Sequence, residues 1–308
     1  TCRRVMKVRS DLSSLTGASE DVVLLVGEAC SDVLAPKTLA HLSITCSQIL
    51  AVLRLKLIEL RDLRAALRAL CSKAGYIPSL LDKGAQLRWY NCGLASADIT
   101  VLAQLLKWGS LQILRELNLG GNQIGAQGVA ALVKGLGKGS LPTLEALYLS
   151  ANSIGDEGIR ALSSVIAKGA MMNLQDLRLH TNQIGAKGMA AFMGAIANGA
   201  LPNLDALNLS FNQIGNKGIT YLASAIASGS SLAKLATLCL DNNLVGDEGM
   251  RMLSVVLAGG SLPWLGRLCL EPNPGDPAPV RRVCYTRGVG CLDYVPHFPL
   301  EYRLHVAD

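Results

Sequence analysis

The residues of this 308-residue chain that could do chemistry are few and scattered. Gly137-Lys138-Gly139-Ser140 partly resembles a phosphate-binding loop. That motif needs a glycine where Leu132 stands and a Ser or Thr directly after the lysine. We therefore interpret the segment as a connecting loop, which excludes it as a nucleotide site.

The histidines and cysteines indicate no catalytic or metal centre. The four histidines have no second histidine or cysteine at short spacing, as a metal site would require: His41, His180, His297 and His305. The nine cysteines are an odd number, and Cys92, Cys239 and Cys269 fall at recurring positions rather than framework spacings. We predict no enzyme activity, no cofactor and no metal, with reduced thiols in an intracellular compartment.

The dominant feature of the sequence is a repeat. The segment Leu114-Arg-Glu-Leu-Asn-Leu-Gly-Gly-Asn122 recurs with the same leucines and asparagine along the chain. The repeated polar position is occupied by Cys92, Asn122, Asn152, Asn182, Asn212, Asn243 and Asn273. These residues are 30, 30, 30, 30, 31 and 30 apart, which no single globular core would impose.

The pattern Leu-x-x-Leu-x-Leu-x-x-Asn/Cys-x-Leu/Ile resembles the leucine-rich repeats. The tail of each unit, as in Ile124-Gly-Ala-Gln-Gly128, resembles the ribonuclease-inhibitor subfamily. Leu117 and Leu119 alternate with polar residues as a half-buried strand does. A buried Asn122 would satisfy backbone groups of adjacent turns, while Gly125 permits a bend and the second glycine allows close helix packing.

Each unit therefore predicts a strand, a turn and a helix. Val129, Leu132 and Leu136 recur at the spacing of a one-sided apolar helix. No unit buries its own core, so stacking must bury it. We expect an α/β leucine-rich-repeat solenoid of about seven 30-residue repeats at 84–276, with a curved parallel sheet inside and helices outside. Residues 1–83 would form a helical cap, and residues 277–308 a C-terminal cap or extension.

The N-terminal segment offers two interpretations. Residues 33–46 run Val-Leu-Ala-Pro-Lys-Thr-Leu-Ala-His-Leu-Ser-Ile-Thr-Cys and resemble the middle of an F-box within about 18–52. In that family such a helix docks on the adaptor of a cullin-type ubiquitin ligase, which implies contacts by Leu34, Pro36, Leu39 and Leu42. The family's leading Leu-Pro is missing, and Asp21-Val22 stands in its place. The alternative is an ordinary helical cap, which a solenoid requires in any case.

Charge and hydropathy restrict the partners. Residues 1–83 hold 12 basic and 8 acidic groups, whereas residues 84–276 hold 13 and 12. The near-neutral array argues against nucleic-acid binding. No apolar run is long enough to cross a bilayer. We expect a cytoplasmic or nuclear protein; alternatively, Arg3, Arg4, Lys7 and Arg9 are the remains of an organellar targeting sequence.

The inner, concave face of the solenoid is the candidate binding surface. Residues flanking the buried leucines point outward from the sheet. Tyr148, Asp176, Arg178 and His180 converge on the central repeats, and Tyr and Arg are frequent in binding hot spots. The predicted partner-binding residues are Tyr148, Asp176, Arg178, His180, Asn118 and Asn208. We expect Arg178 to be exposed, so that Arg178→Ala weakens binding by about 2 kcal/mol and changes stability by less than about 0.5 kcal/mol.

The sequence thus predicts a non-catalytic protein-interaction module. One hypothesis is a substrate receptor, in which the F-box-like segment holds a ligase and the concave face selects the target. The other is an accessory subunit that docks within a larger assembly, in the cytoplasm or in an organelle. A further alternative is a solvated inner face without a partner.

Overall fold

A computed structural model describes residues 61–75, 85–107, 111–228 and 232–292 of the chain. The F-box-like segment with Leu34, Pro36, Leu39 and Leu42 lies outside the described residues. So do most of the proposed N-terminal cap and residues 293–308.

Strands and helices alternate throughout the repeat region. In chain order they are β1 (Gln86–Arg88), α1 (Ser96–Lys107), β2 (Glu116–Asn118), α2 (Gly125–Lys134), β3 (Ala146–Tyr148), α3 (Gly155–Ile166), β4 (Asp176–Arg178), α4 (Ala186–Ala197), β5 (Ala206–Asn208), α5 (Gly215–Ala227), β6 (Thr237–Cys239), α6 (Asp247–Ala258), β7 (Arg267–Cys269), α7 (Ala278–Arg287) and β8 (Gly290–Leu292). The strands form one parallel sheet in the order β1 to β8, so every strand pairs with its neighbours in sequence. The predicted leucine-rich-repeat solenoid is confirmed.

The core lies between the sheet and the helices. The leucine at the centre of each strand from β1 to β7 is fully buried, as Leu147 and Leu177 illustrate, and the helices contribute residues such as Ile159 and Leu162. Successive helices pack on one another, and all these side chains belong to one continuous hydrophobic core. Since the core is almost wholly aliphatic, its continuity from repeat to repeat stabilises the array.

An asparagine ladder connects the turns that follow the strands. Asn182 is fully buried, and its Nδ2 donates to the carbonyl oxygens of Leu149, Leu179 and His180 at 2.8, 3.1 and 3.3 Å. Its Oδ1 accepts from the amides of Asn152 and Ile154 at 2.9 and 3.3 Å. The predicted role of these asparagines is confirmed, because each one satisfies backbone groups of the preceding turn as well as its own.

Two glycines in most units have the predicted roles. Gly125 has a φ of +61°, a left-handed conformation that glycine adopts without strain. At Gly158 a Cβ would lie 2.3 Å from Ile154 Cγ2 and 3.2 Å from Ala126 Cα of the preceding unit. The helix can therefore approach its neighbour only because a glycine stands there.

The two ends of the described array differ from the repeats. Residues 61–73 are helical, and this helix buries Leu70 and Cys71 in the core while Arg64 and Arg68 stay exposed. At the other end, α7 and β8 extend the sheet by one strand beyond the seven predicted repeats. No leucine pattern in the sequence predicts this strand.

Two local details complete the fold. Helix α2 ends at Lys134, so Leu136 packs from the following turn and the prediction that it lies in the helix was wrong. The chain turns there because Gly135 lies against the backbone of Ala103, where a Cβ would be 2.3 Å from the carbonyl oxygen. Within the described residues, no helix has both the length and the apolar character of a membrane span.

A candidate protein-binding surface on the inner face

The sheet surface opposite the helices, here called the inner face, has the predicted arrangement of rows. Asn118, Tyr148, Arg178 and Asn208 are register partners on β2 to β5. Asp176 lies in the adjacent row, between Ala146 and Ala206. Because register partners on parallel strands are about 4.8 Å apart, these side chains stand side by side.

The central cluster consists of Tyr148, Asp176, Arg178 and His180. Arg178 donates from Nη2 and Nε to Asp176 Oδ2 at 2.9 and 3.1 Å. Its guanidinium carbon lies 4.1 Å from the centre of the Tyr148 ring, a cation–π contact. The Tyr148 hydroxyl donates to Asp176 Oδ2 at 3.1 Å, so one carboxylate orients both neighbours.

The burial of this cluster corrects one prediction. Only 7% of the Arg178 side chain is exposed, so the expectation of an exposed arginine was wrong. Tyr148 and Asn118 are also buried, whereas Asp176, His180 and Asn208 are half-buried. The reason is lateral packing: strand alternation directs Arg178 out of the sheet, but the neighbouring strands cover it with their own side chains.

His180 is a neutral imidazole beside a permanent positive charge. Burial and the nearby Arg178 lower the pKa of His180 from 6.5 to about 4. Its Nδ1 is buried and has no hydrogen-bond partner among the described residues.

Burial and the nearby Asp176 raise the pKa of the Tyr148 phenol above its usual range. The hydroxyl therefore stays protonated and acts as a hydrogen-bond donor. With a neutral histidine and a paired Arg178, the cluster is suited to recognition by shape and hydrogen bonding. Among the described residues, it places no nucleophile beside a base.

Exposure identifies a residue that the sequence alone did not distinguish. Tyr90 lies just after β1, in the same row as His180, and is 51% exposed. Its ring lies against Gly120 and Gly121, where a Cβ would be 3.1 and 3.2 Å from the ring carbons. The glycines leave space for the ring, so Tyr90 is the accessible aromatic of this row.

The other candidate groups identified in the sequence do not join the cluster. Gly137 to Ser140 form the loop between α2 and β3, as predicted, and Ser140 Oγ accepts from the Gly137 amide at 2.8 Å. Within the described ranges, no group of three or more His, Cys, Asp or Glu side chains is arranged to hold a metal ion.

The fold and its asparagine ladder define a leucine-rich-repeat solenoid. The family model described as Leucine Rich repeat matches four segments of the chain, residues 110–133, 140–163, 170–193 and 200–223. The four matched segments are leucine-rich repeats, in agreement with the solenoid fold.

Two solved structures and a search of curated proteins complete the comparison. An internalin from Listeria monocytogenes has 16% identity and a TM-score of 0.28, with 77% of this chain and 95% of that chain covered. A protein from Bacteroides fragilis has 14% identity and a TM-score of 0.38, with 70% and 67% covered. No curated protein matches the chain.

Proposed function

We propose that this protein is a non-catalytic protein-interaction module whose inner face binds a protein partner. Leucine-rich repeats generally mediate protein–protein interaction, which supports the proposal at the level of class. The observation that carries it is the Tyr148–Asp176–Arg178–His180 cluster. Its side chains are already held by hydrogen bonds and a cation–π contact, so binding would immobilise few additional groups.

The accessible residues suggest where contact begins. Tyr90 and His180 lie in one row, with the half-buried Asp176 and Asn208 beside it. Large aromatic groups contribute strongly to hot spots. Tyr90 would supply apolar area, and the half-buried imidazole of His180 would supply a polar contact that fixes the orientation of the partner.

The test compares inner-face and outer-helix variants against the same captured partner. Tagged protein is used to isolate partners, which are identified by mass spectrometry and then titrated by calorimetry. We expect Tyr90→Ala and His180→Ala each to weaken binding at least tenfold. Lys187→Ala and Lys217→Ala change exposed residues on α4 and α5 and should leave binding unchanged.

Arg178→Ala belongs in the same series, provided that its folding is checked at the temperature of the titration. The proposal fails if the inner-face variants bind like the wild type while the lysine variants lose binding. In that case the outer helices would be the interaction surface.

For the N-terminal segment we propose an F-box-like docking function, which would make the protein a substrate receptor of a ubiquitin ligase. The support is the sequence at residues 33–46, in which Leu34, Pro36, Leu39 and Leu42 match the family pattern.

We also propose that the repeats belong to the ribonuclease-inhibitor-like subfamily. The support is the 30-residue length of the unit and the two glycines that recur in it.

Adaptor binding decides between the receptor hypothesis and the alternative, an accessory subunit of a larger assembly in the cytoplasm or in an organelle. Leu42→Asp combined with Pro36→Ala should abolish capture of a ligase adaptor and leave the inner-face partner bound. Capture of a multi-subunit assembly without an adaptor would instead favour the accessory role. The receptor role predicts a cytoplasmic or nuclear location, which a fluorescent fusion would check.

A further inference from the structure

Two cysteines meet on the inner face, away from the Tyr148 cluster. Cys239 on β6 and Cys269 on β7 are register partners, and their sulfur atoms are 3.3 Å apart. Cys239 is buried, with 3% exposed, whereas Cys269 is half-buried. Both are thiols in this structure.

The backbone geometry allows these sulfurs to bond. Neighbouring strands are about 4.8 Å apart, within the Cα separation of about 4.4 to 6.8 Å that a disulfide requires. Because register partners on parallel strands project from the same face, their Cβ atoms also point the same way. A small rotation of the side chains, without movement of the strands, would bring the sulfurs together.

The two thiols are chemically unequal. The Cys239 thiol donates a hydrogen bond to the Cys269 sulfur, and this bond lowers the pKa of Cys269. Burial and the negative charge of Asp241 act in the opposite direction, the positive charge of Arg267 assists the lowering, and the net effect is a lowered pKa. The same hydrogen bond and burial raise the pKa of Cys239 above its usual range. Cys269 is thus both the more exposed sulfur and the one that more readily forms a thiolate, which is the reactive form.

We propose that Cys239 and Cys269 form a peroxide-responsive dithiol site that is converted reversibly to a disulfide. The Cys269 thiolate attacks the terminal oxygen of a hydroperoxide, the O–O bond breaks, and the alkoxide or hydroxide leaves as an alcohol or water after taking a proton. Cys269 becomes a sulfenic acid. The Cys239 sulfur then attacks the Cys269 sulfur and forms the S–S bond. The proton of the Cys239 thiol and the hydroxyl of the Cys269 sulfenic acid leave together as water.

In total, two thiols and one hydroperoxide give one disulfide, one water and one alcohol. With hydrogen peroxide as the oxidant, a second water takes the place of the alcohol. Two electrons pass from the sulfurs to the peroxide oxygen. A dithiol reductant reverses the reaction by thiol–disulfide exchange, so the site is compatible with a reducing compartment. The disulfide would link β6 to β7, the strands on either side of α6 in the sequence. It would change the part of the inner face that lies two strands away from β4.

Peptide mapping of the full-length wild-type protein tests the proposal directly. The reduced protein is treated with one equivalent of hydrogen peroxide, its remaining thiols are alkylated, and it is digested with trypsin without reduction. We expect the peptide Leu235–Arg251 linked to Leu268–Arg281 as the main cross-linked product, lost on prior treatment with dithiothreitol. The matched control is the same protein oxidised in urea, where links among the nine cysteines should be mixed.

The proposal is overturned if the folded protein yields this link no more abundantly than the unfolded control. It is also overturned if both peptides stay alkylated while other cysteines oxidise. The second pair, Cys284 and Cys291, gives separate tryptic peptides and serves as an internal comparison. In the Cys284→Ser/Cys291→Ser variant the Cys239–Cys269 link should form as before, and its loss would show that the link arises by exchange.

Trapping the intermediate tests the order of attack. In Cys239→Ala, a 1,3-dione that reacts with sulfenic acids should label Cys269. In Cys269→Ala, label at Cys239 should be at least tenfold lower. Equal labelling would overturn the assignment of Cys269 as the attacking thiol, and circular dichroism of both variants establishes that the comparison is between folded proteins.

Discussion

At the scale of single residues, the side chain of Asn182 makes five hydrogen bonds to backbone groups of its own turn and the preceding one. We predict that Asn182→Ala destabilises the array by roughly 1 to 3 kcal/mol, because it leaves buried amides and carbonyls on two turns unsatisfied. The urea midpoint measures the loss. Lys187→Ala, an exposed change on α4, is the control and should leave the midpoint within error.

Arg178 contributes to stability as well as to the binding surface. We expect Arg178→Ala to destabilise the protein by about 1 to 3 kcal/mol, because it removes a guanidinium, 7% exposed, that contacts both Asp176 and Tyr148. This replaces the expectation of less than about 0.5 kcal/mol that follows from an exposed arginine.

The Arg88–Glu116 pair is the natural control for that change. Arg88 Nε lies 2.9 Å from Glu116 Oε1, as close as the Arg178–Asp176 pair, and the two carboxylates are similarly buried, since 15% of the Glu116 side chain is exposed. The pairs differ in the arginine, because 49% of the Arg88 side chain is exposed. Water therefore screens the Arg88 charge, and Arg88→Ala should change the free energy of unfolding by no more than about 0.5 to 1 kcal/mol. Equal losses in the two variants would show that burial does not distinguish these pairs.

His180 predicts a dependence of stability on pH. Its pKa is about 4 in the folded protein and about 6.5 when unfolded, so between these values the unfolded chain binds more protons. Stability is therefore lost as the pH falls through this window. Relative to His180→Gln, the wild type should lose about 1 to 2 kcal/mol between pH 7 and pH 5 in urea titrations. Parallel curves for the two proteins would contradict the burial of a neutral imidazole.

At the scale of elements, contacts between units matter more than contacts within them. Asp156, in the first turn of α3, accepts hydrogen bonds from the amides of Gly185 and Gly188 at 2.7 and 2.8 Å. The N-terminus of α4 is thus capped by the preceding repeat. Asn216 does the same for Gly246 and Gly249. Helices α4 and α6 are thus each held in place by a side chain of the unit before them.

Two glycines of the same helix should respond in opposite ways to alanine. At Gly188 a Cβ would lie 2.7 Å from the capping Asp156 oxygen and 3.2 Å from Asp156 Cα, so Gly188→Ala should destabilise by about 1 to 3 kcal/mol. At Gly194 a Cβ would meet no atom within 4 Å apart from its chain neighbours and the backbone of its own helix, so Gly194→Ala should stabilise by about 0.5 to 1 kcal/mol. Thermal melts measure both changes, and a destabilising Gly194→Ala would contradict the open space at this position.

At the scale of the whole molecule, the repeat region is a stack in which each repeat contacts its neighbours. Leu179 after β4 and Leu270 after β7 are equivalent buried positions, one central and one near the end. We predict that Leu179→Ala, which removes about 2 to 5 kcal/mol, increases hydrogen exchange on both sides of β4. Leu270→Ala should increase exchange mainly between α6 and β8. Identical exchange patterns would indicate a single cooperative unit.

The sequence by itself determined the repeat, its period, the strand positions and the asparagine ladder. These follow from local chemistry: alternating leucines require a half-buried strand, and a recurring buried asparagine must satisfy nearby backbone groups. The rows of the inner face could be written down for the same reason, since strand alternation alone places Tyr148, Arg178 and Asn208 side by side. The paired glycines were likewise interpretable, because only close packing or a positive φ explains their spacing.

Only the tertiary structure decided what depends on distances between units. Arg178 is buried because Asp176 and Tyr148 close around it, which no residue pattern within one strand expresses. The capping of α4 by Asp156, the added strand β8 and the approach of Cys239 to Cys269 are also contacts across repeats. Local sequence specifies which face a side chain takes, whereas the separation and curvature of neighbouring strands determine how much of that side chain a partner or solvent can reach.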